Sequence, residues 1–155
     1  MPPQRHRADL EAQIAADARA LTAESEQIGR SFASQHDLGA NDFRALLHIM
    51  VAESAGTPLT AGDLRKLLGT SGAAITYLVE RMIASGHLRR DIDPADRRKV
   101  ILRHDDHGLT VGRKFFAPLA QLNSRALADL PDADLEAAHR VLTALVGAMQ
   151  EFSGG

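Results

Sequence analysis

The chain has 155 residues, 45% of them hydrophobic and 25% charged, which suits one domain of residues 1–155 and is too short for a barrel enzyme. Five Phe, one Tyr and no Trp leave a mostly aliphatic, alanine-rich core of the kind usual in packed helices, and zero cysteines exclude disulfides, thiolate metal sites and thiol redox switches. The formal net charge of −2 is unevenly spread: residues 1–61 carry five basic and eight acidic side chains, residues 62–104 nine and five, and residues 105–155 four and seven.

From Asp9 to about Gln35 the apolar positions Leu10, Ile14, Ala18, Leu21, Ile28 and Phe32 recur at helical spacing with no proline between them, which predicts one long amphipathic helix. Arg5 and Arg7 are followed directly by Asp9 and Glu11, no signal-peptide apolar region is present, and no apolar run reaches ~18 residues. A cytoplasmic protein without a membrane partner is expected. Gly39-Ala40-Asn41-Asp42 offers a loop and an N-cap for a second helix through Phe43, Leu46, Leu47 and Met50, which Gly56-Thr57-Pro58 stops. Thr60 and Asp63 have the spacing of a capping box before a short third helix with Leu64, Leu67 and Leu68, ended by Gly69. Thr70 and Ser71 can cap a fourth helix with a stripe of Ile75, Leu78, Val79, Met82 and Ile83, closed by Ser85-Gly86.

The pattern then changes. His87–Ile92 and Lys99–Arg103 read as two short strands around the turn Asp93-Pro94-Ala95-Asp96. Past Gly108 helical periodicity returns through Phe115, Phe116, Leu119, Leu122, Leu127 and Leu130, where Pro118 invites a kink. From Pro131-Asp132 onward, Leu135, Ala138, Leu142, Leu145, Met149 and Phe152 form an a/d seam. Such a seam can pack on its own subunit. Long apolar helices at both ends of the chain, both of them acidic, are also suited to pairing away from the basic middle, with Leu10, Ile14, Leu142, Leu145, Met149 and Phe152 as interface positions.

The third and fourth helices, joined by a tight turn at Gly69, form a candidate helix-turn-helix whose second helix would enter a DNA major groove. At about 100° per residue, Ala73, Tyr77 and Glu80 lie opposite the apolar stripe, flanked by Ala74 and Thr76. Small side chains at Gly72, Ala73 and Ala74 permit close approach; Thr76 can donate to a phosphate, and Tyr77 can bond a base or pack on a thymine methyl. The hairpin that follows carries Arg89, Arg90, Arg97, Arg98 and Lys99, a cluster suited to phosphate. Asp96, two residues from Arg98, can hold that guanidinium extended for a narrow minor groove.

The runs Leu59-Thr60-Ala61-Gly62-Asp63-Leu64, Ser71-Gly72-Ala73-Ala74-Ile75-Thr76-Tyr77-Leu78-Val79-Glu80-Arg81-Met82, Gly86-His87-Leu88-Arg89-Arg90 and Asp93-Pro94-Ala95-Asp96-Arg97-Arg98 resemble the multiple antibiotic resistance regulator (MarR) family. The similarity in order and spacing runs over nearly the whole chain, with the specific motifs in residues 59–108. It implies a mainly α, winged helix-turn-helix homodimer on a pseudo-palindromic operator, with residues 38–108 as the DNA-binding part and 9–36 and 109–153 as dimerisation helices. Ser71, Ala73, Ala74, Thr76 and Tyr77 would then belong to the recognition helix, and Asp96 would support Arg98 at the wing tip. The resemblance further implies a repressor released by a small, often aromatic or phenolic ligand. Phe43, His48 and Met50, on the helix that lines the family's ligand crevice, are the pocket candidates.

Two departures stand out. Tyr77 occupies a position where the family commonly has Arg, and His104-Asp105-Asp106-His107-Gly108 replaces a usual Leu-Thr before the helix glycine. Asp105 can cap the helix as Thr would. The side chains of His104, Asp105, Asp106 and His107 are also of the types that hold a divalent metal, which supplies the rival reading: a ligand- or metal-sensing dimer with weak or lost DNA specificity. Helix capping by exposed polar residues explains the same run more simply, so no metal site or cofactor is expected. Without a glycine-rich phosphate loop, nucleophile elbow or HExxH motif, no enzyme activity is expected either.

Overall fold

The computed structural model describes residues 3–154, and side chains from Arg5 onward; residues 1, 2 and 155 of the one-domain reading lie outside the described residues. The elements in order are α1 (Pro3–Gln35), α2 (Ala40–Ser54), α3 (Ala61–Leu68), α4 (Gly72–Ala84), β1 (Leu88–Ile92), β2 (Val100–His104), α5 (Asp106–Leu127) and α6 (Asp132–Gly154). The fold is a mainly α winged helix-turn-helix. Helix α1 begins at Pro3 rather than near Asp9, because proline is well tolerated in a first helical turn, where its missing N–H has no intrahelical partner to lose. Helix α5 runs through Pro118 as one element.

Local chemistry sets the boundaries. Asp37, Gly56, Gly69 and Gly86 take left-handed φ, and the N–H that follows each bonds back to a carbonyl one turn earlier: Leu38 to Ala33 (2.8 Å), Thr57 to Ala52 (3.0 Å), Thr70 to Arg65 (3.2 Å) and His87 to Met82 (2.9 Å). At Gly69 (φ 63°) the absent Cβ makes the turn between α3 and α4 inexpensive. The next helices are capped from the side-chain side. Thr60 accepts the Asp63 N–H (3.1 Å) while Asp63 accepts the Thr60 N–H (3.0 Å), and the Ser71 hydroxyl accepts the Ala74 N–H (3.1 Å).

The described residues form two compact units, one up to Arg113 and one from Lys114, with the division inside α5. In the first, Ala45, Ile49, Leu64, Val79, Met82, Leu88, Ile101 and Leu102 are buried almost completely, which places the core where α2, α3, α4 and the hairpin meet. Strands β1 and β2 pair antiparallel, Leu88 opposite His104 and Ile92 opposite Val100. The Leu102 N–H also reaches the Leu59 carbonyl (2.8 Å), tying the hairpin to the segment that enters α3. The base of the hairpin is closed tightly. Asp105 N–H donates to the His87 carbonyl (3.0 Å), Gly108 N–H to the Gly86 carbonyl (3.1 Å), and a Cβ on Gly108 would stand 2.8 Å from the His87 oxygen. Only glycine fits there. In the second unit, α6 contains no buried residue.

Candidate nucleic-acid interface

Helix α4 presents two faces. Ile75, Leu78, Val79 and Met82 are buried, while Ser71, Ala73, Ala74, Thr76 and Tyr77 are exposed. The Ser71 hydroxyl is engaged as the helix cap, and Thr76 Oγ1 donates to the Gly72 carbonyl (2.9 Å), a bond an exposed hydroxyl can exchange for a phosphate. Tyr77 is 70% exposed and has the Arg81 guanidinium 5.7 Å from its ring centroid. Arg81 in turn grips the Asp42 carboxylate with both terminal nitrogens, one at 2.7 Å, and this bond raises its pKa. Asp42, 1% exposed, also accepts the Gly39 N–H (2.7 Å). In the sequence Asp42 stands out as part of an N-cap, and nothing local points to its partner 39 residues away. An acidic residue at a position that the helical period of Ala45, Leu46 and Ile49 sends into the core was the signal available.

The hairpin sorts its cations by position. At its base each arginine faces a carboxylate: Arg90 pairs with Glu80, Arg89 with Asp91 (4.0 Å), and Arg103 with Asp91 (3.4 Å) and Glu53 (3.6 Å). At its tip Arg97, Arg98 and Lys99 are exposed. Asp93 accepts the Ala95 N–H (2.9 Å), and Asp96 accepts both the Arg98 N–H (3.1 Å) and Arg98 Nε (3.2 Å). These bonds, the side-chain one first, hold the Asp96 carboxyl below the usual carboxylate range. Arg98 is braced at one edge and 91% exposed, so its charge projects outward.

The residues of the rival metal reading are engaged separately. His104 Nδ1 contacts Glu53 Oε2 (3.0 Å), Asp105 accepts the Asp106 N–H (2.9 Å) at the start of α5, and the His107 ring lies edge-on to His87 (centroids 5.5 Å apart). Among the described residues no group of three or more His, Cys, Asp or Glu could hold a metal ion. His87 is 6% exposed; Nδ1 is paired with Ser85 Oγ (2.8 Å), and Nε2 has no partner. Burial first, then the neighbouring His107 and His36, lower its pKa.

A cavity of about 760 Å³ lies between α1 and α2, with Leu21, Gly29, Ala33, Phe43, Leu47 and His48 in its wall and Glu26, Arg30 and Arg44 among its polar lining. The Phe43 ring rests on Gly29, where a Cβ would come within 2.4 Å of it. Burial and then Arg44 lower the His48 pKa, which keeps this imidazole neutral near neutral pH. Met50 is exposed and outside that lining, so of the three pocket candidates the structure brings Phe43 and His48 together and not Met50. Of the pairing positions Leu10, Leu142, Met149 and Phe152 are exposed in the protomer, while Ile14 and Leu145 are half-buried. No described helix is long and apolar enough to cross a membrane.

Residues 36–99 match the model of the MarR family. The chain is similar to the uncharacterized HTH-type transcriptional regulator YcgE of Bacillus subtilis, 37% identical over 73 residues, a match that covers 47% of this chain and 45% of that protein. The matched part is thus about half the length of that curated relative. Among solved structures, the transcriptional regulator Tm0710 of Thermotoga maritima matches at TM-score 0.59 and 25% identity over 93% of this chain and 99% of its own. A mutant of MepR from a multidrug resistant S. aureus clinical isolate matches at 0.68 and 16% over 88% and 96%, and the S. aureus MepR–DNA complex at 0.52 and 18% over 84% and 96%.

Proposed function

We propose that the chain is a transcriptional regulator of the MarR family, acting as a homodimeric, sequence-specific repressor of transcription, in the cytoplasm, on a pseudo-palindromic operator. The observation that carries this reading is the pairing of two exposed surfaces: the small and polar face of α4, with Ala73, Ala74, Thr76 and Tyr77, and the cationic tip of the hairpin, with Arg97, Arg98 and Lys99. The first is shaped to approach bases and the second to attract phosphate. In a two-fold dimer the two α4 helices would enter successive major grooves about 34 Å apart while the tips reach flanking minor grooves. Arg97, Lys99 and, at the base, Arg89 and Arg90 would set affinity and its salt dependence; the carboxylate partners of Arg89 and Arg90 make them the weaker contributors. MepR, whose fold this chain shares, has been crystallised with DNA, which supports the same mode of binding here.

Pairing through Leu10, Ile14, Leu142, Leu145, Met149 and Phe152 would cover apolar surface that one protomer leaves exposed. The α1–α2 cavity would admit a small aromatic effector against Phe43 and His48, and release of DNA would follow its binding. MepR has also been crystallised with ethidium, a planar aromatic molecule. A regulator of this kind performs no chemistry on what it binds.

The deciding experiment compares affinity for the DNA upstream of the chain's own gene with that for a scrambled duplex across a salt series. Preference of about 10³ with a steep salt slope is the expected result. Equal, weak binding to both would overturn the specific-regulator reading for that DNA and turn attention to a ligand-sensing dimer. Arg98→Ala is expected to weaken operator binding, reduce the log–log salt slope by about 1 and leave the dimer intact. An unchanged slope would remove the hairpin tip from the contact.

A further inference from the structure

We propose that Asp42 and Arg81 are positioning residues for Tyr77: they hold the chain's sole tyrosine in one pose on the outer face of α4, so that base preference at the position it meets is set from inside the protein. This rests on the DNA-binding reading above. An aromatic ring 70% exposed on a helix ordinarily samples several rotamers. Tyr77 has a neighbour that restrains it. Arg81 follows one turn later on the same side, with its guanidinium carbon 5.7 Å from the ring centroid.

An arginine in that place would usually be as mobile as the ring it touches. This one is clamped. Both terminal nitrogens bond the two oxygens of Asp42, and the planar fork leaves the guanidinium no rotation that keeps both bonds. Asp42 is itself fixed, 1% exposed and bonded to the Gly39 N–H at 2.7 Å. Glu80, the carboxylate that α4 itself carries, is paired with Arg90 and does not compete for Arg81. The ring therefore leans on a plate anchored in α2. Arg81, with its charge satisfied by Asp42, acts on DNA through Tyr77.

A purely structural tie between α2 and α4 would leave the ring's own signals unchanged, and the composition makes those signals readable. With one tyrosine and no tryptophan, the tyrosine near-ultraviolet circular dichroism band and the tyrosine emission anisotropy report Tyr77 alone. Arg81→Lys keeps a cation and loses the fork. In the full-length protein, with its far-ultraviolet spectrum intact, it is expected to lose most of the tyrosine band and to lower the anisotropy. Selection of bound duplexes from a randomised pool should give, for the unaltered protein, a base preference that Tyr77→Ala erases. Arg81→Lys should reduce it several-fold, and Arg81→Lys with Tyr77→Ala should do no more than Tyr77→Ala alone. If Arg81→Lys does not fold, Asp42→Asn, which keeps the shape and removes the charge, is read in the same way. An unchanged band, or additive losses of preference, would overturn the positioning role. No selected sequence from the unaltered protein would overturn the regulator reading and this role with it, whereas a selected sequence indifferent to Arg81→Lys overturns this role alone.

Discussion

In the unit up to Arg113, Ile49, Leu64, Met82, Leu88 and Ile101 are essentially inaccessible to water; in the unit from Lys114, α6 carries an equally regular apolar seam and buries none of it. Val141, Leu142, Val146 and Met149 are exposed, and Phe152 is 90% exposed. Both stripes obey the same helical period. Periodicity therefore tells which side of a helix is apolar and nothing about whose surface covers it. One set of residues holds the first unit together, and the other set is left exposed.

Substitutions can separate the two roles. Leu64→Ala is expected to have the largest effect on folding, about 2–5 kcal/mol in denaturant unfolding, because the cavity it leaves is enclosed on all sides. Phe152→Ala, at an exposed position, should change protomer stability by under about 0.5 kcal/mol and weaken self-association instead. Leu145→Asp sharpens the contrast: sedimentation should find monomers, and operator binding should fall with dimerisation. A dimer that persists, or a monomer that binds as well, would show that the α6 seam is not the pairing surface.

A second contrast concerns His87 and His48, whose burial lowers their pKa. The His87 imidazole has its pKa lowered in the folded chain, so as pH falls through about 6.5 the unfolded chain takes up the proton first. The stability that neutral His87 contributes is complete above that pH and is lost below it, until the folded imidazole is protonated too. Thermal unfolding followed from pH 8 down to about 5.5 should show this decline, and His87→Gln should flatten it. His48, also lowered, adds to the same slope, so a His48→Gln variant measures its share. At the helix caps the expected effect is smaller than at Leu64: Ser71→Ala should cost about 1 kcal/mol, with loss of the bond to the Ala74 N–H and no change in the dimer.

Most of the fold is legible in the residues because its signals are local. Thr60 with Asp63, Ser71, Gly69 and Gly86 mark helix ends through bonds that span three to five residues, and the turn Asp93-Pro94-Ala95-Asp96 between two short runs marks the hairpin. The pairing of Asp96 with Arg98 is legible for the same reason. The clamp of Asp42 on Arg81 is not, because it joins residues 39 apart and no local pattern links them. Nor are the pairings of Arg90 with Glu80 and of Arg103 with Glu53, whose carboxylates arrive from other helices. The pocket candidates divide on the same principle: Phe43 and His48 reach the cavity, and Met50, on the same helix, turns to solvent.

The joint at the base of the hairpin has a mechanical meaning. Two backbone hydrogen bonds and the contact at Gly108, where even a methyl group finds no room, fasten the first turn of α5 to the turn that closes α4. The first turn of α5 and the end of α4 are therefore fastened backbone to backbone, with no side chain between them. The helix that would read the operator ends against the start of the helix that leads away from it.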